Sequence, residues 1–204
     1  MATQGIEIEV KSGFLTALQH TLLWDGLSIP DHLHARLARD WQRLLAQREL
    51  VRQIEAERNR IFRESHDPAI KQVRQLYSLR GVGIESAWLF VMEFFAWREF
   101  TNRRQIGALA GLATTPFQSG DVRRELGIAK SGNPNVRWLA IEIAWSWLRY
   151  QPDSELTIWF EKRFGSGSSR IRRIGIVALA RRLLIEFWRF LETGALPNGA
   201  VTKA

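Results

Sequence analysis

Ser119 stands on a Gln-Ser-Gly turn, followed at once by Arg123 and Arg124 and then by Lys130, Ser131, Gly132 and Asn133. A hydroxyl set between a glycine and several cations is how a nucleophile for a phosphodiester would be built. The cations hold the phosphate and stabilise the charge that develops on it. The same residues also suit a polar, glycine-punctuated loop between two helices, and spacing alone does not separate the readings. A serine hydroxyl is a weak nucleophile, and the histidines that could activate one (His20, His32, His34 and His66) all lie in the first third of the chain. His32 and His34 are two apart, which on a helix points them to different sides, so they read as surface residues.

The elements that must position Ser119 are helical. Pro30 opens a charged stretch, Asp31 to about Glu64, with Leu33, Leu37, Trp41, Leu44, Val51, Ile54 and Ile61 at spacings of three, four or seven. It predicts a long amphipathic helix or short coiled coil, interrupted by Arg48 and Arg58. Packing on the chain's own core and dimerisation with a second copy are both open. After Asp67-Pro68, a helix to about Ser78 leads through Arg80-Gly81-Val82-Gly83 into a buried helix, Glu85 to Trp97. Helix, Gly-hydrophobic-Gly, helix is the helix-hairpin-helix pattern, in which Gly81 and Gly83 let the backbone approach closely and helix-start N–H groups bind a phosphate. An ordinary helical hairpin would need the same glycines, and Arg80 is the residue that would separate the two.

A further helix, Phe100 to Ala113, is capped by Thr101 or Asn102, with Arg103 and Arg104 outward and Ile106, Leu109 and Ala110 inward. Beyond the central loop, Val136 to Tyr150 should bury Trp138, Leu139, Ile141, Trp145 and Leu148, its tryptophans reading as core, not as base-stacking platforms. Gly165 to Ser169 reads as a flexible connector. The last helix, Ile171 to Leu191, carries Arg173 and Arg181 on one side and Arg182 and Arg189 on another, around Ile174, Val177, Leu184 and Trp188. An anionic membrane surface could receive such a helix, but Leu183, Ile185 and Phe187 widen its apolar face and favour burial in a bundle. At the amino terminus, Gln4 to Val10 alternates like a short strand, and Phe14 to Trp24 has helical spacing before the Asp25-Gly26 turn.

The expected fold is therefore all-α: a long amphipathic or coiled-coil helix, then a helix-hairpin-helix-containing bundle. Boundaries fall at 1–30 (a remnant or linker), 31–66 (the long helix), 67–194 (the helical domain) and 195–204 (a tail). The 204 residues are 46% hydrophobic with nine Trp and eleven Phe, enough to fold. Lacking cysteine, the chain has no disulfide framework or Cys-based zinc site, and its histidines make no convincing ligand set. No signal peptide or membrane-length apolar run appears, so a bacterial cytoplasm is the default. The net charge of +8 is lopsided: thirteen Arg or Lys face six Asp or Glu from Val122 to Phe190, against fifteen and fourteen from Met1 to Asp121. The surplus lies in the segment on the carboxy-terminal side of the candidate serine, as a polyanion partner would require.

Gly111-Leu112, Pro116-Phe117-Gln118-Ser119-Gly120, Arg123-Arg124-Glu125, Gly127-Ile128 and Lys130-Ser131-Gly132-Asn133 together resemble the carboxy-terminal domain of DEDD-type bacterial insertion-sequence transposases. These are related to Piv-type DNA invertases, and some are guided by a bridge RNA. The resemblance continues through Trp145 to Pro152 and Arg172 to Arg182, covering roughly the last two thirds of the chain. It implies that Ser119 attacks a DNA phosphate and holds the strand as a phosphoserine, with Arg123, Arg124 and Lys130 positioning the phosphate and Gly120 admitting the backbone. Ser131 and Asn133 join the same phosphate-binding set. It also implies DNA as partner, a guide RNA in some members, and a dimer or higher oligomer.

The family's amino-terminal ribonuclease-H-like domain, with four acidic residues that hold Mg²⁺, has no counterpart in this sequence. The chain thus reads as the second part of a longer protein, binding no cofactor alone. Thr114 stands where relatives usually have proline, and Ala129 where they usually have serine or threonine. These departures keep open a non-catalytic nucleic-acid-binding or dimerisation fragment that inhibits full-length copies.

Overall fold

The computed structural model describes residues 6–119 and 122–203, with the backbone alone for 115–119 and 122–126. The described residues are predominantly α-helical, and they fall into two units, Met1–Arg63 and Glu64–Ala204.

The first unit joins a short helix α1, Phe14–His20, to the long α2, Asp31–Glu64, which crosses the boundary by one residue. Its small core is Ile6, Phe14, Leu18, Ile29 and Trp41, with the rings of Phe14 and Trp41 stacked at 5.0 Å. Leu33, Leu37 and Leu44 pack against this core, whereas Leu50, Val51 and Ile54 further along α2 are exposed. The stripe read from the sequence thus packs on this core over its first half only, and Ile61 at its far end is half-buried. The strand expected from Gln4 to Val10 does not form over residues 6–10. The helix expected to run to Trp24 ends at His20, since Thr21 is extended and Leu22 bridges Ser28 around the Asp25-Gly26 turn.

In the second unit, α3 (Pro68–Ser78) starts where the Asp67 carboxylate accepts from the Ala69 amide at 2.7 Å and proline fills the first turn. The turn Leu79–Gly83 leads to α4, Ile84–Phe90, which widens into a π-turn over Val91–Phe95. The next helix, α5, is shorter than its sequence suggested, Arg103–Leu109; Asn102 caps it, accepting from Arg104 and Gln105. Ile106 and Ala110 are buried as expected, but Leu109 is exposed.

The largest departure from expectation is at the centre of the chain. Gly111 to Arg137 is not a plain loop but an antiparallel hairpin, β1 (Thr114–Ser119) and β2 (Val122–Ile128), rising between α5 and α6, Pro134–Tyr150. Helix α7, Glu155–Phe160, again ends in a π-turn, Glu161–Gly165, and α8 runs from Ser169 to Thr193.

Phe90, Phe94, Trp147, Phe160 and Phe187 form the aromatic centre of this unit, with Phe187 set edge-on to Phe90 at 5.7 Å and to Trp147 at 5.9 Å. The Trp147 indole donates to Ser154 Oγ at 2.8 Å, so the largest core side chain leaves no polar atom unpaired. The buried face of α6 is Val136, Leu139, Ala140, Ile143, Ala144 and Trp147. That overturns the stripe drawn through Trp138 and Trp145, which are 63% and 42% exposed. Gly165 to Ser169 is likewise no flexible connector: the Gly167 amide bonds Phe164 O at 3.1 Å, and a Cβ on Gly167 would meet Ile171 at 2.5 Å.

Residues 195–203 run back over the α3–α4 turn. Thr202 bridges Leu79, the Lys203 amide donates to Ser78 O at 2.7 Å, and the Lys203 ammonium donates to Tyr77 O and Val82 O at 2.6 and 2.7 Å. Gln151 joins the two strands of chain, donating to Arg80 O and Val201 O and accepting from the Val201 amide.

Candidate nucleic-acid interface

The hairpin grows from a narrow neck. The Ala129 amide bonds Ala113 O at 2.9 Å, the Lys130 amide bonds Gly111 O at 3.2 Å, and the Asn133 amide bonds Leu109 O at 3.2 Å. Gly111 and Gly132 both have positive φ, and a Cβ on either would lie 2.1 Å from a carbonyl oxygen, of Ser131 and of Leu109 respectively. Only glycine lets the two chain segments come this close. Lys130 itself sits at φ 56, with its carbonyl accepting from Arg137 Nη1 at 3.0 Å.

Several predicted site residues lie in or near this neck. Asn133 Oδ1 accepts from the Asn135 and Val136 amides at 2.9 and 3.1 Å, and its Nδ2 donates to Glu93 Oε2 at 2.8 Å. Both ends of that side chain are engaged with protein: it caps α6 and ties the neck to the π-turn after α4. Lys130 and Ser131 are exposed at the neck. Ser119 lies at the far end of β1, paired with Val122; Gln118 pairs with Arg123 and Phe117 with Arg124. The hairpin therefore separates Ser119 from Lys130 along its length, where the sequence had suggested one cluster. Gly120 lies outside the described residues, as do the side chains of Ser119, Arg123 and Arg124.

The other candidate, the α3–α4 turn, has the helix-glycine-glycine-helix layout, and its backbone faces protein on one side. Gly81 has φ 89; a Cβ there would meet Tyr150 Cβ at 3.2 Å, and its carbonyl accepts from Ser146 Oγ at 2.8 Å. Gly83, by contrast, is extended and open, and the Arg80 side chain is exposed.

A feature that the sequence pattern did not reveal lies beside the hairpin's base. A hollow of about 1300 Å³ is walled by Thr114, Gly127 and Ile128 at the foot of the strands, by Arg103 and Arg104 of α5, and by the exposed side of α8. That helix contributes Arg170, Arg173, Arg181, Arg182 and Arg189. Seven guanidiniums thus share one concavity with two carboxylates, Glu155 and Glu186, of which Glu186 is paired with Arg189 at 2.7 Å. Ile174, Val177 and Ile185, assigned to the core stripe or to the widened apolar face, line this hollow instead, and Ile174 is 58% exposed. The sequence signal was there in the doublets Arg172-Arg173 and Arg181-Arg182 around an apolar residue every three or four positions. It could not show that α5 brings two more arginines opposite.

Two of these arginines are held in place. Arg182 lies over the Trp159 ring at 3.9 Å. Arg181 crosses α5 at Gly107, where a Cβ would stand 2.8 Å from its Nε. Among the described residues no group of three or more His, Asp or Glu side chains is placed to hold a metal ion. No helix among them is long and apolar enough to cross a membrane. Leu183 and Phe187 of α8 are buried, as the bundle reading of that helix required.

A helical bundle that lifts a strand pair on a glycine neck beside an arginine-walled hollow has the charge layout of a protein that meets a polyanion. Residues 73–157 match the model of the Transposase IS116/IS110/IS902 family. The chain is 37% identical over 199 residues to "Putative transposase y4rJ" of Sinorhizobium fredii (strain NBRC 101917 / NGR234), covering 92% of this chain and 49% of that protein. It is also 36% identical over 77 residues to "Putative transposase y4qE" of the same strain, covering 38% of this chain and 20% of that one. The chain spans about half the length of the first of these relatives. The family match runs from α3 through the hairpin into α7 and stops before α8.

Proposed function

We propose that this chain is the DNA-handling part of a serine-dependent insertion-sequence transposase, with the hairpin presenting Ser119 to a DNA phosphate. In the step itself, Ser119 Oγ bonds to phosphorus while the bond from phosphorus to one sugar oxygen breaks. The serine proton leaves to a base and the departing oxygen takes up a proton, so charge and atoms balance. Cations near the hairpin stabilise the charge on the phosphoryl oxygens. Magnesium, held by acidic residues of a partner domain, would supply activation of the hydroxyl. One observation carries the reading most: the family match spans the hairpin, and residue 119 falls in its register at the end away from the neck.

The α3–α4 turn contributes sequence-independent phosphate contacts through Arg80 and the backbone at Gly83. Exposed Leu50, Val51 and Ile54 on α2 provide the surface for pairing with a second copy. The test is recombination with the chain supplemented by the acidic amino-terminal half of a relative. Ser119→Ala should abolish strand transfer and leave DNA affinity nearly intact. Normal strand transfer by the alanine variant removes Ser119 from the mechanism.

A second reading is a non-catalytic nucleic-acid-binding fragment, favoured by Thr114 and Ala129, which depart from the family's pattern at the two feet of the hairpin. In the same assay such a fragment stays silent with either residue at position 119 and suppresses a full-length relative.

A further inference from the structure

We propose that the hollow between α5 and α8 is a groove for one strand of DNA, separate from the hairpin that carries Ser119. The inference rests on the reading of the chain as a DNA-handling part, and that reading selects DNA over other polyanions.

Three features of the hollow point this way. First, charge: seven arginines against two acidic residues line one concavity, and the paired Glu186–Arg189 leaves six arginines to one acid, Glu155. Cations gathered at this density repel one another unless a polyanion lies among them. Secondly, the lining between the arginines is apolar, made of Ile174, Val177, Ile185 and Leu156 with Trp159. A duplex shows phosphates and sugars to the outside and has little use for such a floor, whereas a single strand offers unstacked bases to it. Thirdly, two of the cations are preorganised: Arg182 by the Trp159 ring and Arg181 by the bare backbone at Gly107. A guanidinium plane backed by an indole is a platform on which a base can stack. The hollow's volume, about 1300 Å³, is enough for a few nucleotides of a single strand. Its wall includes Thr114 and Ile128 at the foot of the hairpin, so a strand leaving the groove passes to the hairpin's base.

The test measures binding of labelled oligothymidylate, and of a duplex of equal length, by anisotropy across a salt series. Arg173→Gln with Arg181→Gln should weaken single-strand binding about tenfold and lower the salt slope by about 0.7 per arginine. Duplex binding should change much less, and the circular dichroism spectrum and thermal midpoint should match the parent. Gly107→Ala, which displaces Arg181 without removing charge, should give a smaller loss in the same direction with an unchanged spectrum. Single-strand binding equal to the parent's in the double variant overturns the groove. So does an equal loss for duplex and single strand, or tighter binding of an RNA strand of the same sequence. Ser119→Ala separates this inference from the one beneath it. Loss of recombination in that variant, together with unaltered strand binding in the arginine variant, sinks the groove and leaves the hairpin chemistry standing.

Discussion

At the neck of the hairpin Gly111, Gly132 and Arg137 face protein, whereas a few residues away Gly107 lies buried against Arg181 and the arginines of α8 line an open hollow. Both regions are made of glycine and arginine, residues that the sequence alone would assign to phosphate binding. In the neck the glycines let two backbones touch, and Arg137 closes the contact by donating to Lys130 O. In the hollow Gly107 instead makes room for a guanidinium, and that cation is directed at whatever enters. A glycine beside a cation thus marks close approach, and the tertiary structure decides whether a carbonyl or a ligand makes it.

Substitution at the neck should have the most severe effect. Gly132→Ala puts a Cβ 2.1 Å from Leu109 O at a residue with φ 99, and Gly111→Ala does the same against Ser131 O. Neither obstacle is a movable side chain, so each substitution should cost about 4 kcal/mol or more. Urea denaturation should show a large fall in midpoint. A midpoint within error of the parent would mean that the two segments do not touch.

Next in size is Asn133. Replacing it with alanine removes the cap of α6 and the bond to Glu93, for a loss of about 1–2 kcal/mol. If this asparagine held a phosphate instead, the variant would lose DNA affinity and keep its stability, so measuring both in one preparation decides its role. The hollow predicts the reverse pattern. Exchanging Arg173 or Arg103, both exposed, for glutamine should shift stability by under about 0.5 kcal/mol while weakening polyanion binding.

Much of the bundle was legible from the chain: α3 and α8 fall close to their expected bounds, and Asn102 and Asp67 cap where their types and positions suggest. The hairpin was not, because its strands are charged and glycine-marked and no hydrophobic face set their period. The two residues between Ser119 and Val122 in the register, glycine first, were the available signal. On α6 apolar residues occur nearly all round, so periodicity admitted two faces, and the large tryptophans drew the choice to the wrong one. Packing buried Ala140 and Ala144 and left Trp138 and Trp145 outside. Nor could the hollow be read, since it needs α5 and α8, some seventy residues apart in sequence, to face each other.

The smallest effect lies away from both regions, in the last residues, and it concerns pH. Burial pushes the Lys203 ammonium below its ordinary value of 10.5, although two carbonyls and the Tyr77 ring at 3.3 Å receive it. In the unfolded chain this lysine keeps its proton up to the ordinary value, while in the folded chain it releases it earlier. The unfolded state therefore binds more protons between the two values, and by linkage the lysine's share of stability rises with pH through that window. Lys203→Met should abolish this rise while leaving the rest of the alkaline profile in place. Thermal midpoints of parent and variant, followed towards pH 10.5, should therefore draw apart in the parent's favour as pH climbs. A gap that narrows instead would mean that the carbonyls and the ring hold the proton more strongly than burial expels it, and that the carboxy-terminal segment is fastened by charge.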